Sequence, residues 1–138
     1  MSEGYSKRSL VEKLGIKAGA RVAILNAPEG LTLGNLPDGM TPDTTMHDTY
    51  DFIHAFTRNR AELEQAFPRL KAALASNGAL WISWLKGNTD LNENIVREIG
   101  LQNGLVDVKV IAVDKDWSGL KFVYRLKDRH NPNLWCFY

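Results

Sequence analysis

The sequence predicts an α/β domain, a three-layer sandwich around a mainly parallel sheet of about six strands. Three observations carry that expectation. Short, nearly continuous apolar runs of strand length recur at residues 20–25, 50–56 and 79–84, the pattern of strands buried on both faces. Stretches with helical spacing alternate with them and begin at polar cap residues. The chain then closes on two more strand-like runs joined by a hairpin-sized loop.

The elements follow in order. Residues 6–14 read as a short helix with Ser6 as N-cap, Leu10 and Leu14 on one face, and Gly15 as the stop. The run at 20–25 is the first strand. Leu31, Leu33 and Leu36 suit a brief helix, and residues 40–46 an edge strand after the turn Pro37-Asp38-Gly39. The next strand, 50–56, places Phe52 and Ile53 on opposite faces. Asn59 with Glu62 forms a capping-box-like pair ahead of Leu63, Phe67, Leu70 and Leu74 at helical spacing. Pro68 interrupts that helix, which predicts a kink or two abutting segments. Asn77-Gly78 is the expected end. After the strand at 79–84, Asp90 and Glu93 open a helix with the stripe Leu91, Ile95, Ile99, ended by Gly104. Residues 106–113 and 120–126 are the last strands, and Gly119 in the loop between them is available for positive φ.

Composition bounds the function. The 138 residues suit one domain with a sizeable core; 1–126 form it and 127–138 form a tail. A net charge of +1 supplies no global attraction to nucleic acid or to an anionic membrane. The single Cys136 excludes an intramolecular disulfide and a cysteine-built metal site, and in its apolar setting it reads as an inert small hydrophobe. No apolar run reaches the ~20 residues of a membrane span, and the N-terminus lacks a signal-peptide core, so a cytoplasmic location is expected. The tail ends in Leu134-Trp135-Cys136-Phe137-Tyr138. It either folds back on its own domain, the favoured option because it needs no partner, or forms a homo-oligomer through Leu134, Trp135, Phe137 and Tyr138.

Four segments together resemble a small bacterial family, domain-of-unknown-function family 3052. They are Asn26-Ala27-Pro28-Glu29-Gly30, Gly78-Ala79-Leu80-Trp81-Ile82-Ser83-Trp84, Gly104-Leu105-Val106-Asp107-Val108-Lys109-Val110, and Asp114 through Trp117-Ser118-Gly119-Leu120-Lys121-Phe122. The resemblance runs from Gly4 to about Arg125 and departs at Leu85, where a proline is more usual. It implies the fold and, the family being uncharacterised, no activity. At greater distance the order of elements resembles the second half of an S-adenosylmethionine-dependent methyltransferase. That implies a Rossmann-like, truncated methyltransferase-like sheet with strands, numbered along the chain, in the order 2-1-3-4-6-5 and strand 6 antiparallel. Only about twenty residues separate Gly30 from Asp51, too few for two full helix–strand units of ordinary length.

Chemistry is expected where the parallel strands end. That edge gathers Asn26, Pro28, Glu29, Gly30, Arg58, Trp84, Lys86, Asp114 and Trp117 as candidate ligand-binding residues. The two tryptophans would serve as stacking platforms for a small anionic or heteroaromatic ligand. Taken singly, each tryptophan also reads as a cover for the sheet ends, and Lys86 with Asp114 as a surface ion pair; their convergence is what suggests a site.

A methyltransferase turn after the first strand is glycine-rich. Here Pro28 removes an N–H and fixes φ, and Glu29 brings negative charge toward a cofactor carboxylate. Asp43 and Asp48 are candidates for the acid that accepts ribose hydroxyls, although neither follows a clear strand. No cofactor is therefore expected, with S-adenosylmethionine as the alternative. His54, mid-strand, reads as a hydrogen-bonded core residue, and His47 and His130 lack metal-ligand spacing. No catalytic residue, metal ligand, phosphate loop or Ser/His/Asp arrangement is identified. The expected function is a non-catalytic, methyltransferase-like domain that binds a small molecule or a protein partner in a regulatory or accessory role. The alternatives are an S-adenosylmethionine-dependent methyltransferase with a non-standard loop, and an oligomerisation module.

Overall fold

The computed structural model describes residues 16, 20–28 and 42–125. The elements are β1 (Val22–Leu25), β2 (Tyr50–Phe56), α1 (Arg60–Ala73), β3 (Leu74–Leu85), α2 (Glu93–Gln102), β4 (Leu105–Ala112) and β5 (Trp117–Tyr124). One sheet of five strands runs in the order β1-β2-β3-β5-β4. The first three strands are parallel; β5 runs antiparallel to both β3 and β4.

The sheet differs from the expected six strands. The segment expected as an edge strand contributes only one parallel bridge, Asp43 to Ala23, so the order begins at β1. Ile24 N–H donates to the Asp43 carbonyl (2.8 Å) and Asp43 N–H to that of Val22 (2.9 Å). Beyond this bridge the chain bends at Thr44 and Thr45. The buried Tyr50 hydroxyl holds that bend, donating to Asp43 Oδ2 (2.7 Å) with the Thr45 carbonyl at 3.2 Å.

Both helices cover one face of the sheet. There Leu63, Phe67 and Leu70 of α1 and Val96 and Ile99 of α2 pack on Ile53, Leu80, Ile82, Leu120 and Phe122. Each fully buried side chain of this size contributes about 1.5–3 kcal/mol. Gly100 lets α2 settle on the sheet, because a Cβ there would lie 2.1 Å from Phe122. The opposite face holds Val22, Ile24, Phe52, Phe56, Trp81, Val113 and Trp117, with Ile16 against them. The described residues thus form two layers; the helix expected over 6–14, the brief helix at 31–36 and the tail lie outside them.

Several local expectations are corrected. α1 runs unbroken through Pro68, which sits on the exposed side where water meets the released carbonyl. It ends at Ala73 rather than at Asn77-Gly78, and β3 starts at once, with an irregularity opposite residues 50–52. Gly78 serves this close approach, since a Cβ would meet the Asp51 carbonyl at 2.8 Å. Asn92, not Asp90, caps α2, accepting from Ile95 N–H at 3.0 Å. Asp90 instead accepts from Arg60 N–H at the start of α1 (2.8 Å). β5 begins at Trp117, three residues early, and Gly119 lies within the strand rather than at positive φ. Gly104 ends α2 as expected, at φ +89°.

Candidate functional site

From β1 the chain goes to the outer edge at Asp43, then returns to β2 on the other side of β1. Strand order therefore reverses between β1 and β2, and β1, β2 and β3 all end at the same edge of the sheet. Open α/β sheets bind ligands outside such a switch point, because the diverging connections leave a crevice there. A cleft of about 280 Å³ opens at this place. Its walls are the ends of β1 (Leu25, Asn26) and β2 (Ala55, Phe56, Thr57), the bend Thr44, Thr45, Met46, and one face of α1 (Glu62, Ala66, Arg69, Leu70). The volume sits near the lower end of the ~300–1,000 Å³ usual for small-molecule sites.

Asn26 leaves β1 at φ 59°, in the left-handed region that asparagine tolerates better than most residues. That turn takes the chain sharply off the strand and exposes the Asn26 side chain at the cleft. Thr57 is buried, its hydroxyl and N–H both donating to the Ser83 carbonyl (3.0 and 2.9 Å), which ties the end of β2 to β3. Glu62 and Asn59 form the expected capping-box-like pair, displaced by one residue: Asn59 Oδ1 accepts the Glu62 N–H (2.8 Å), and Glu62 Oε1 accepts the N–H of Arg58 rather than that of Asn59 (2.7 Å). Arg69 has no hydrogen bond or ion pair among the described residues.

The expected site residues do not converge. Asn26 lines the cleft and the half-buried Pro28 follows it, while Glu29 and Gly30 lie outside the described residues. Trp84 belongs to the core beneath the helices and Trp117 to the core of the opposite face; each is 5% exposed. Side chains alternate across a strand, and Trp117 pairs with Leu85, not Trp84, so the two rings lie on opposite faces and cannot sandwich one ligand. Arg58 stacks its guanidinium 5.6 Å from the Trp117 ring centroid. Lys86 and Asp114 meet, but not as an ion pair: Lys86 Nζ donates to the Asp114 carbonyl (2.8 Å), and Asp114 Oδ1 accepts the N–H groups of Asp116 and Trp117 (2.8 Å each). This rim is closed upon itself.

The two acids proposed for ribose are also displaced. Asp43 is bridged to the middle of β1 and engaged by Tyr50, with His47 Nε2 at 3.5 Å. Asp48 pairs with Arg21, at the amino end of β1. A hydrogen bond from Thr49 N–H and the Arg21 charge hold its carboxyl below the usual range. The acid that lines the cleft is Glu62. Glu62, read from the sequence only as a cap residue, and Arg69, not singled out there, stand seven residues apart in a helix and so share a face, a signal that was present in the spacing.

His54 is a core residue, as its setting suggested. Its Nε2 lies 2.7 Å from Ser83 Oγ, its ring stacks on Phe56 at 4.2 Å, and Nδ1 is buried with no hydrogen-bond partner among the described residues. Burial pushes its pKa down to about 3, so the ring is neutral. Among the described residues no group of three His, Cys, Asp or Glu side chains could hold a metal ion, and no helix is long and apolar enough to cross a membrane.

No family model and no curated protein matches the chain. Solved structures do. A ribosomal protein L11 methylase from Lactobacillus delbrueckii subsp. bulgaricus matches at 15% identity, covering 83% of this chain and 74% of that one, with a TM-score of 0.55. LepI in complex with SAM matches at 12% identity over 84% of this chain and 39% of its own, with a TM-score of 0.52. Magnesium protoporphyrin IX methyltransferase from Synechocystis PCC 6803, with bound SAM, matches at 21% identity over 70% and 50%, with a TM-score of 0.49. The chain spans about half the length of that last protein. The fold is methyltransferase-like: an α/β domain on a mixed five-stranded sheet. These likenesses correct the expectation of a non-catalytic domain. The two likenesses with the higher TM-scores are to a methylase and to a complex with SAM, which favours the alternative over the non-catalytic reading and leaves the expectation of no cofactor without support.

Proposed function

We propose that this domain binds S-adenosylmethionine in the cleft between the ends of β1 and β2 and transfers its methyl group to an acceptor. One observation carries the reading: the cleft lies at the reversal of strand order, where this architecture leaves room for a ligand. The likeness in fold to a methylase and a SAM complex supports the ligand class.

The residues present fit such a ligand. Leu25, Met46, Ala55, Ala66 and Leu70 supply an apolar surface for a thioether chain and an adenine ring. Asn26, Thr44, Thr45, Glu62 and Arg69 supply donors and acceptors around it. When bound, S-adenosylmethionine supplies a methyl group already activated on a sulfonium, so the protein's part is to orient the acceptor and exclude water. Asn26, held in its left-handed turn, presents an amide at the cleft that has no side-chain partner among the described residues. Thr57, tied to β3, keeps the end of β2 from moving away.

Kinship with domain-of-unknown-function family 3052 belongs to the same proposal. Of its four segments, the described part of the first, residues 26–28, follows β1, and the others fall on β3, on β4, and on the loop before β5 together with β5 itself.

Calorimetry with S-adenosylmethionine and S-adenosylhomocysteine tests the reading. Dissociation constants in the micromolar range, roughly −8 kcal/mol, are expected. Ala66→Trp fills the cleft from α1 and is expected to weaken both ligands by at least about tenfold, an overpacking effect on the site. Absence of heat with either ligand, on a chain that unfolds cooperatively, overturns the proposal.

A further inference from the structure

Resting on the reading above, we propose that α1 carries a two-point clamp for the cleft's ligand: Arg69 pairs with a carboxylate, and Glu62 accepts vicinal hydroxyls. Both residues line the cleft. Seven residues are close to two helical turns, so the two side chains share a face and stand about 10 Å apart along the axis. Opposite charges at the two ends of one cleft do not suit a ligand of a single sign. They suit one with hydroxyls at one end and a carboxylate at the other, the layout of an adenosyl amino acid.

The pairing state of the two groups supports this. Arg60, on the same helix, is engaged with Glu64 (3.0 Å). Arg69 has no such partner among the described residues, although it borders the apolar Ala66 and Leu70. A guanidinium with its fork unengaged is suited to bidentate contact with a carboxylate. Glu62 is fixed in orientation because Oε1 accepts the Arg58 N–H (2.7 Å), which leaves Oε2 as acceptor. α1 begins where β2 ends, so Glu62 stands nearer the sheet edge and Arg69 deeper along the helix. A ligand held this way makes no demand for a glycine-rich turn after β1, which accounts for the tolerance of Pro28 there. The acid comes from a helix face rather than from either aspartate near β1.

The test uses the full chain and two probes, S-adenosylhomocysteine and 5′-deoxy-5′-methylthioadenosine, which share the adenosyl thioether but differ in the amino-acid group. Arg69→Ala is expected to weaken S-adenosylhomocysteine by about tenfold or more and to leave methylthioadenosine unchanged, as loss of a charge-assisted contact predicts. Arg69→Lys should recover part of the loss. Glu62→Gln keeps an acceptor for the Arg58 N–H and should weaken both probes, since both carry the ribose. Unfolding midpoints matching the native chain exclude a folding defect; both substituted positions are at the surface or half-buried. If the native chain binds S-adenosylhomocysteine and Arg69→Ala binds it equally well, or weakens both probes alike, the clamp is wrong and the site reading stands. If the native chain binds neither probe, both fall.

Discussion

The carboxyl edge of the sheet has two rims that differ in how their polar groups are engaged. At the end of β3 and the start of β5, Arg58 lies on Trp117, Lys86 binds the Asp114 carbonyl, and Asp114 closes on the N–H groups of its own loop. At the ends of β1 and β2, Asn26 and Arg69 line a cleft with no side-chain partner among the described residues. The first rim contains four of the nine residues that looked functional in the sequence, Arg58, Lys86, Asp114 and Trp117; the second contains the room for a ligand. Satisfied polar groups stabilise a rim, while unsatisfied ones beside an apolar cleft leave interaction energy for a ligand.

If this contrast is right, changes at the closed rim act on stability and changes at the open rim act on binding. The largest effect is expected from Trp117→Ala, which removes a nearly buried ring packed edge-on against Phe56 at 5.1 Å. Denaturant unfolding should show a loss of about 3–5 kcal/mol, with S-adenosylhomocysteine affinity unchanged under conditions where the variant is folded. A parallel loss of affinity would mean that the rims are not independent.

Next comes pH. His54, buried in the middle of β2 behind both rims, between Ile24 of β1 and Trp81 of β3, has a folded pKa lowered to about 3 from 6.5. The unfolded chain therefore binds a proton that the folded chain refuses, and stability declines as pH falls from about 6.5 toward about 3. Unfolding free energies from urea denaturation at pH 7.5 and 5 should differ, with a slope that approaches about 1.4 kcal/mol per pH unit below 6.5, and His54→Phe should flatten that slope. Asp48, held below its ordinary value of 3.8, adds to the decline only as pH falls toward 3.8 and lower, beneath the pH 5 of this comparison. An unchanged slope in the variant would show that the ring is not the titrating group. The smallest effect belongs to Arg58→Ala: an exposed cation over a ring is worth about 0.5–1 kcal/mol, and ligand affinity should not change.

Much of the fold was legible because burial leaves a periodic mark. The apolar runs at 20–25, 50–56 and 79–84 supplied the three parallel strands, the first beginning only at Val22, and Leu63, Phe67 and Leu70 became the inner face of α1. Asn59 with Glu62 formed the cap their spacing announced. Ends were less legible, because caps compete: Asp90 and Asn92 both suit the start of α2, and Asp90 found Arg60 instead. The expected edge strand failed for a related reason, since Asp43 makes one bridge before Tyr50 draws the following turn aside.

Local spacing along the chain accounts for the elements, the parallel order of the central strands and the edge at which a ligand would sit, since these follow from short-range periodicity and from the right-handed connections of α/β units. Which side chains share a face of that edge was decided only when the sheet assembled. Trp84 and Trp117 are separated by the pleat, a relation set by the pairing of Leu85 with Trp117 across thirty-two positions of chain. Glu62 and Arg69 gain significance only because α1 packs on β3 and leaves a cleft between its face, the end of β1 and the bend at Thr44. Register and docking depend on contacts between distant segments, and no local pattern encodes them.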